Sequence, residues 1–199
     1  MIHAIVFIAT TLQSIETPKY QILQKYDQFE IRDYGTVITA KTVVNEDFRT
    51  STYTGFRRVA NYIFGGNSKE MKIAMTAPVI TQIKQNRSEA HVIHFVMPSM
   101  YSLETLPKPR LDNVNVGTEN LGVMAAMKFG GWATENRSNK FVRILLEELK
   151  NNSIVVNGDI RVAQYNGPTT IPPFRKNEIL IPVKICLLYT SPSPRDGIG

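Results

Sequence analysis

The stretch that most constrains this chain is Lys72 to Val79, read as Lys-Ile-Ala-Met-Thr-Ala-Pro-Val. At a period of two, Ile73, Met75, Ala77 and Val79 share one face of a strand, and Ala74, Thr76 and Pro78 share the other. Both faces are nearly free of charge, so the expected strand lies inside a sheet covered on both sides. Pro78 cannot donate to a ladder and is expected to mark a bulge or the strand's exit. Small residues at Ala74, Thr76 and Ala77 leave room above the sheet, which the flexible thioether of Met75 fills or lines.

What packs there stands just upstream. Phe56, Val59, Ala60 and Ile63 recur at i, i+3, i+4 and i+7, the stripe of a packed helix, which Gly65 and Gly66 end. Asn45 or Asp47 is placed to cap that helix, predicted over Phe48 to Ile63. Before it, Lys19 to Arg32 reads as one or two short strands around a turn at Asp27-Gln28. Tyr34-Gly35 then turns the chain into a β-branched strand from Thr36 to Val44. Beyond the opening stretch, Gln85 to Glu89 is a polar turn and His91 to Met97 a second strand. Pro98, Pro107 and Pro109 mark an irregular connection through to Asp112, the expected seam between two halves.

The second half repeats the first in outline. Strands are expected at Val114 to Val116 and Val123 to Phe129, followed by a helix from Arg137 to Leu149 with Phe141, Leu145 and Leu149 at four-residue spacing. Two more strands follow at Asp159 to Tyr165 and Glu178 to Lys184. The predicted class is therefore α+β: a duplicated strand-strand-helix-strand-strand unit giving about eight antiparallel strands, with two amphipathic helices burying one sheet face. A parallel doubly wound sheet would need helices between most strands, and the pattern lacks them.

At 199 residues the chain suits one domain, and 43% hydrophobic with 20% charged residues argues against a disordered protein. A formal charge of +6 permits nucleic-acid, membrane-surface or acidic small-molecule partners. The basic residues are scattered, however, with Arg57-Arg58, Lys108 with Arg110, and Arg175-Lys176 the tightest groups, so no nucleic-acid track is expected. The lone Cys186 leaves no intramolecular disulfide and no cysteine-rich zinc site.

The chain divides into a leader or atypical signal at 1–15, a domain at 16–185, and a tail at 186–199. In the leader, the apolar run Ala4 to Ala9 is too short to span a bilayer, and no basic residue precedes it. A signal remnant would imply secretion or an organelle, and a plain leader the cytoplasm. The tail, with two Ser-Pro steps and no periodicity, resembles translated adapter sequence. The expected oligomeric state is monomeric, with no membrane span.

Few residues suggest chemistry. His91 and His94, three apart on a strand, point to opposite faces and cannot chelate one ion together. Singly, each is a weak candidate for an axial haem ligand, and a hydrogen-bonded sheet residue is the plainer reading. No Gly-x-Ser-x-Gly elbow occurs, and neither glycine pair forms a phosphate loop. Glu178 precedes an apolar strand, and Tyr165 ends its neighbour; a buried pair of this kind is a candidate acid and base. The plainer expectation pairs Glu178 with Arg175 or Arg32. Asn86, Asn136 and Asn151 open glycosylation acceptor patterns, which matter only in a secreted eukaryotic chain.

Gly55-Phe56, Tyr62-Ile63, Gly65, Asn67 and then Ile73 to Val79 stand in an order that resembles the SOUL haem-binding protein family. The likeness runs from about Pro18 to Lys184, through Tyr20, Tyr26, Glu30-Ile-Arg32, Tyr34, Phe95, Met97-Pro98, Phe129-Gly-Gly131 and Tyr165. It closes on Arg175 with Asn177-Glu178 after a proline-rich approach. The resemblance implies a distorted eight-stranded barrel-like sheet with two helices, built as a pseudo-twofold repeat. It also implies reversible binding of haem or a related tetrapyrrole by a noncatalytic carrier, buffer or sensor. Where some relatives carry a proposed histidine ligand, the early segment here has none, so apolar contact is expected to hold the ring. On that reading Phe56, Val59, Ala60, Ile63 and Met75 lie beneath the ring, and Arg57, Arg58 or Arg143 meets its propionates. The alternative is an enzyme acting on a hydrophobic small molecule in the same cleft, with Glu178 and Tyr165 as acid and base. A third reading is an interaction protein using the basic surface.

Overall fold

The computed structural model describes residues 15–83, 90–167 and 169–184. Of the expected leader only residue 15 falls inside them, and the turn at 85–89 with Asn86 and the tail with Cys186 lie outside. In chain order the elements are β1 (Gln21–Lys25), β2 (Glu30–Asp33), β3 (Thr36–Asn45), α1 (Phe48–Ile63), β4 (Val79–Ile83) and β5 (Ala90–Val96). The second half supplies β6 (Asn115–Asn120), β7 (Val123–Gly130), α2 (Glu135–Asn151), β8 (Val155–Val156), β9 (Ile160–Gln164) and β10 (Lys176–Lys184).

All ten strands join one antiparallel sheet in the order β1-β2-β7-β10-β9-β4-β5-β3-β6, with β8 alongside β10. The duplicated unit is plain in this order. β2-β3-α1-β4-β5 and β6-β7-α2-β9-β10 are equivalent runs, and β1 and β8 are additions to their eight strands. Each unit lends its first strand to the other, since β2 pairs with β7 and β6 with β3. Register locates the pseudo-dyad. Ile80 lies opposite His94 in one unit and Ala163 opposite Glu178 in the other, and Ile80 and Ala163 face each other across β4–β9. The two corners of the barrel-like curl also match. Gly35 and Gly122 turn with φ of 59° and 58°, and they are tied by Tyr34 N to Gly122 O and Leu121 N to Gly35 O. Such φ values favour glycine.

The stretch Lys72 to Val79 is not a strand, which corrects the opening expectation. Only Val79 enters β4, and 72–78 runs extended beside α1. Ile73 N donates to Ile63 O at the helix end, Thr76 Oγ1 to Val96 O, and Ala77 N to Glu16 O. Its apolarity reports burial beneath a helix, for Ile73 and Met75 pack into the α1 core. Pro78, lacking N–H, stands just before the strand's entry instead of at its exit.

Helix α1 starts at Asp47, whose carboxylate accepts from Arg49 N and Thr50 N. It lies so close to β5 that a Cβ on Gly55 would sit 2.5 Å from Ile93 Cγ1. Helix α2 is capped by Thr134 and buries Val142, Leu145 and Leu149, while half-buried Phe141 stacks on Phe129. One helix-side core thus lies under each helix. A third, made of Tyr34, Ile80, Val96, Leu121, Met124, Ala126, Ala163 and Leu180, fills the inner side of the curl.

Candidate functional site

A groove of about 550 Å³ runs along the outer side of α1, lined by Thr54, Phe56, Arg57, Arg58, Ala60, Asn61, Phe64 and Leu111. Most of these follow from helix geometry: Thr54, Arg57, Arg58 and Asn61 recur at the spacing that shares one helix side. Phe64 caps the helix, and Leu111 arrives from the irregular connection between the halves, which Arg110 N fastens to Gly66 O. Phe64 is 59% and Leu111 38% exposed, so the groove offers apolar surface to solvent. Arg58 Nη1 donates to Val43 O at 3.0 Å, which steadies its guanidinium on the edge of β3. Arg57 lies over the Tyr53 ring.

The structure therefore brings Phe56, Ala60, Arg57 and Arg58 of the expected site together. Val59 and Ile63 are in the core between α1 and the sheet, and Met75 packs from below without lining the groove. Arg143 is on α2, which packs on β7, β8 and β10, and does not line the groove either. Thr54, Asn61, Phe64 and Leu111 escaped the sequence reading. The first two continue the helical stripe and were legible; Leu111 depends on a tertiary contact.

Neither histidine is set up for iron. His94 is buried, with Nδ1 3.1 Å from Glu119 Oε2 and Nε2 3.0 Å from Gln82 Oε1, so both ring nitrogens are engaged. His91, on the opposite face, packs edge-on against Phe48, with Nδ1 3.1 Å from Glu46 O.

The inner face carries two polar clusters that the pseudo-dyad relates. At one end Arg32 Nη1 donates to both oxygens of Glu178, at 3.0 and 3.1 Å, and Tyr165 Oη donates to Glu178 Oε2 at 2.6 Å. At the other, Glu119 meets His94 and Arg161, while Lys41 Nζ stands 3.7 Å away. Glu119 occupies the position equivalent to Arg32, and His94 that of Glu178, so a carboxylate stands in one unit where a guanidinium stands in the other.

Burial pushes the Glu119 carboxyl up, but hydrogen bonding and charge from His94, then Arg161 and Lys41, outweigh it and hold the group at about 2. Burial and then the Glu178 charge push the Tyr165 phenol up, away from neutral pH. Glu178 is thus the ion-pair partner of Arg32, one of the two arginines expected. Tyr165 and Glu178 do meet, as the acid-and-base reading expects, but both Glu178 oxygens are also engaged by Arg32.

An antiparallel sheet built by duplication, two helices on one face and an apolar, arginine-edged groove define an α+β domain of the small-ligand-binding kind. The chain belongs to the SOUL haem-binding protein family, whose model, described as SOUL heme-binding protein, matches residues 15–182. It is 28% identical over 177 residues to human "Heme-binding protein 2", covering 84% of this chain and 85% of that protein, and 27% identical to the mouse protein of the same name. Among solved structures it resembles the EcmrR C-terminal domain, with a TM-score of 0.59 at 14% identity over 83% of this chain and 98% of that one. A hydrolase from Listeria innocua superposes with a TM-score of 0.54 at 10% identity, over 79% and 92%. These last two likenesses concern the fold alone. Among the described residues, no helix is long and apolar enough to cross a membrane.

Proposed function

We propose that this protein reversibly binds haem or a related tetrapyrrole in the groove along α1, as a carrier, buffer or sensor without catalysis. The observation that carries the reading is the lining itself. Phe56, Ala60, Phe64 and Leu111 offer apolar contact, Arg57 and Arg58 offer cations for propionates, and none of the eight lining residues is a His, Cys, Met or Tyr. Family membership and the relatives' names support the ligand class.

Burying roughly 300 Å² of apolar ring surface contributes about 7 kcal/mol at ~25 cal/mol/Å², before association costs of several kcal/mol. Ion pairs at the rim supply the remainder. Retention then depends on the ring and its carboxylates and not on the iron. Haemin titrated into the full chain is expected to give a Soret shift that saturates near one equivalent, and metal-free protoporphyrin to bind within a few-fold of haemin. Leu111→Asp, an exposed change beside the arginines, should weaken both about tenfold. Flat spectra with both ligands would defeat the reading; strong preference for haemin would place the site at an iron ligand elsewhere.

A further inference from the structure

We propose that the end of the β7–β10 pair docks on an anionic lipid surface through an exposed apolar loop ringed by basic side chains. The inference is independent of tetrapyrrole binding. The loop entering β10 presents Ile171, Pro172, Pro173 and Phe174 to solvent, with Ile171 58% and Phe174 68% exposed. Beside it stands Trp132, 50% exposed, just past the end of β7. Large apolar side chains clustered in this way on a protein surface mark an interaction site.

The cluster is held in place. Phe174 N donates to Ile171 O and Arg175 N to Pro172 O, closing a tight turn whose two prolines fix φ. The Arg175 guanidinium lies 3.6 Å from the centroid of the Trp132 ring and sets its plane. Little conformational entropy remains to be lost on docking.

Charge selects the partner. Exposed Lys128 and Lys176 lie on β7 and β10, Lys176 opposite Gly130 and Lys128 opposite Glu178. Exposed Arg137 donates from Nε to Gly130 O at 2.7 Å, which holds a third cation at the same end. The carboxylates nearest in sequence are Glu178, buried and paired with Arg32, and Glu135, exposed in the first turn of α2, so three basic side chains face one exposed acid at this end. Aromatic and aliphatic tips within a cationic ring match the headgroup zone of an anionic bilayer, where tryptophan is favoured and basic residues meet negative headgroups.

The test uses the full chain and vesicles of phosphatidylcholine with or without phosphatidylserine, read by co-sedimentation and by the emission of Trp132, the sole tryptophan. Partition onto the phosphatidylserine vesicles with a blue shift, and its erosion by salt, are expected. The double variant Ile171→Ser, Phe174→Ser should lower partition at least tenfold, and Lys128→Gln and Lys176→Gln about fivefold each. All four positions are exposed, so an unchanged melting temperature accompanies these losses. Equal binding to phosphatidylcholine alone, wild-type binding by the double variant, or no partition would overturn the proposal. So would a concentration-dependent rise in mass that the double variant abolishes without any vesicle binding, for the loop would then cover a second copy.

Discussion

Glu119 shows how one side chain ties distant strands together. From β6 it reaches His94 on β5, Arg161 on β9 and Lys41 on β3, and its carboxyl is held at about 2. A carboxylate whose pKa is lower folded than unfolded contributes stability that is fully present above the unfolded value, about 4.3, and disappears as pH falls towards the folded one. The depression corresponds to roughly 3 kcal/mol, present at neutral pH and lost between about pH 5 and 2. Glu119→Gln should therefore lower stability to urea at pH 7 and flatten its decline over that acid window. An acid limb as steep as in the parent would show that other carboxylates set it. Sequence alone does not single out Glu119, because its partners lie on three other strands and each was brought close by the sheet. Glu178 was legible, since a carboxylate opening an apolar strand demands a cation.

At the scale of elements, the packing of α1 on β5 is set by a missing side chain. Gly55 lets the helix approach until Ile93 fills the space where a Cβ would be. Gly55→Ala improves helix propensity by about 1 kcal/mol, but overpacking costs typically 1–3 kcal/mol and wins where three Ile93 carbons lie within 2.7 Å. The variant should melt at a lower temperature, and Ile93→Ala, itself costly in this core, should cost less in the Gly55→Ala chain than in the parent. Additive losses would contradict the contact. Both helices were readable from their apolar stripes, because a helix side repeats locally. The extended run at Lys72 was misread for a related reason: alternation and apolarity mark burial, while a ladder depends on a partner that local pattern does not name. The groove divides the same way. Phe56, Ala60, Arg57 and Arg58 lie on the helix whose period reveals them, whereas Leu111 reaches it from another segment and Arg143 lies on the other helix.

Across the whole molecule, the seam found at Pro98 to Asp112 separates two units that sequence presents as repeats, yet the sheet does not let either stand alone. β2 completes the second unit by pairing with β7, and β6 completes the first by pairing with β3. The inner core draws Ile80 and Val96 from one side and Met124, Ala126, Ala163 and Leu180 from the other. Both polar clusters of the inner face also cross the seam, since Arg32 meets Glu178, and His94 and Lys41 meet Glu119. A fragment ending at Asp112 would leave β3 without one neighbour, expose the apolar inner face and strand Arg32 without Glu178, each a cost of a kcal/mol or more. The pieces 1–112 and 113–199, made separately, are therefore expected to lack cooperative melting. Mixed at equal concentration, they should regain the parent's near-ultraviolet spectrum as each supplies the strand and the counter-charge the other lacks. Cooperative melting of either piece by itself would show that the repeat is an assembly of two finished domains and that the exchanged strands are ornamental.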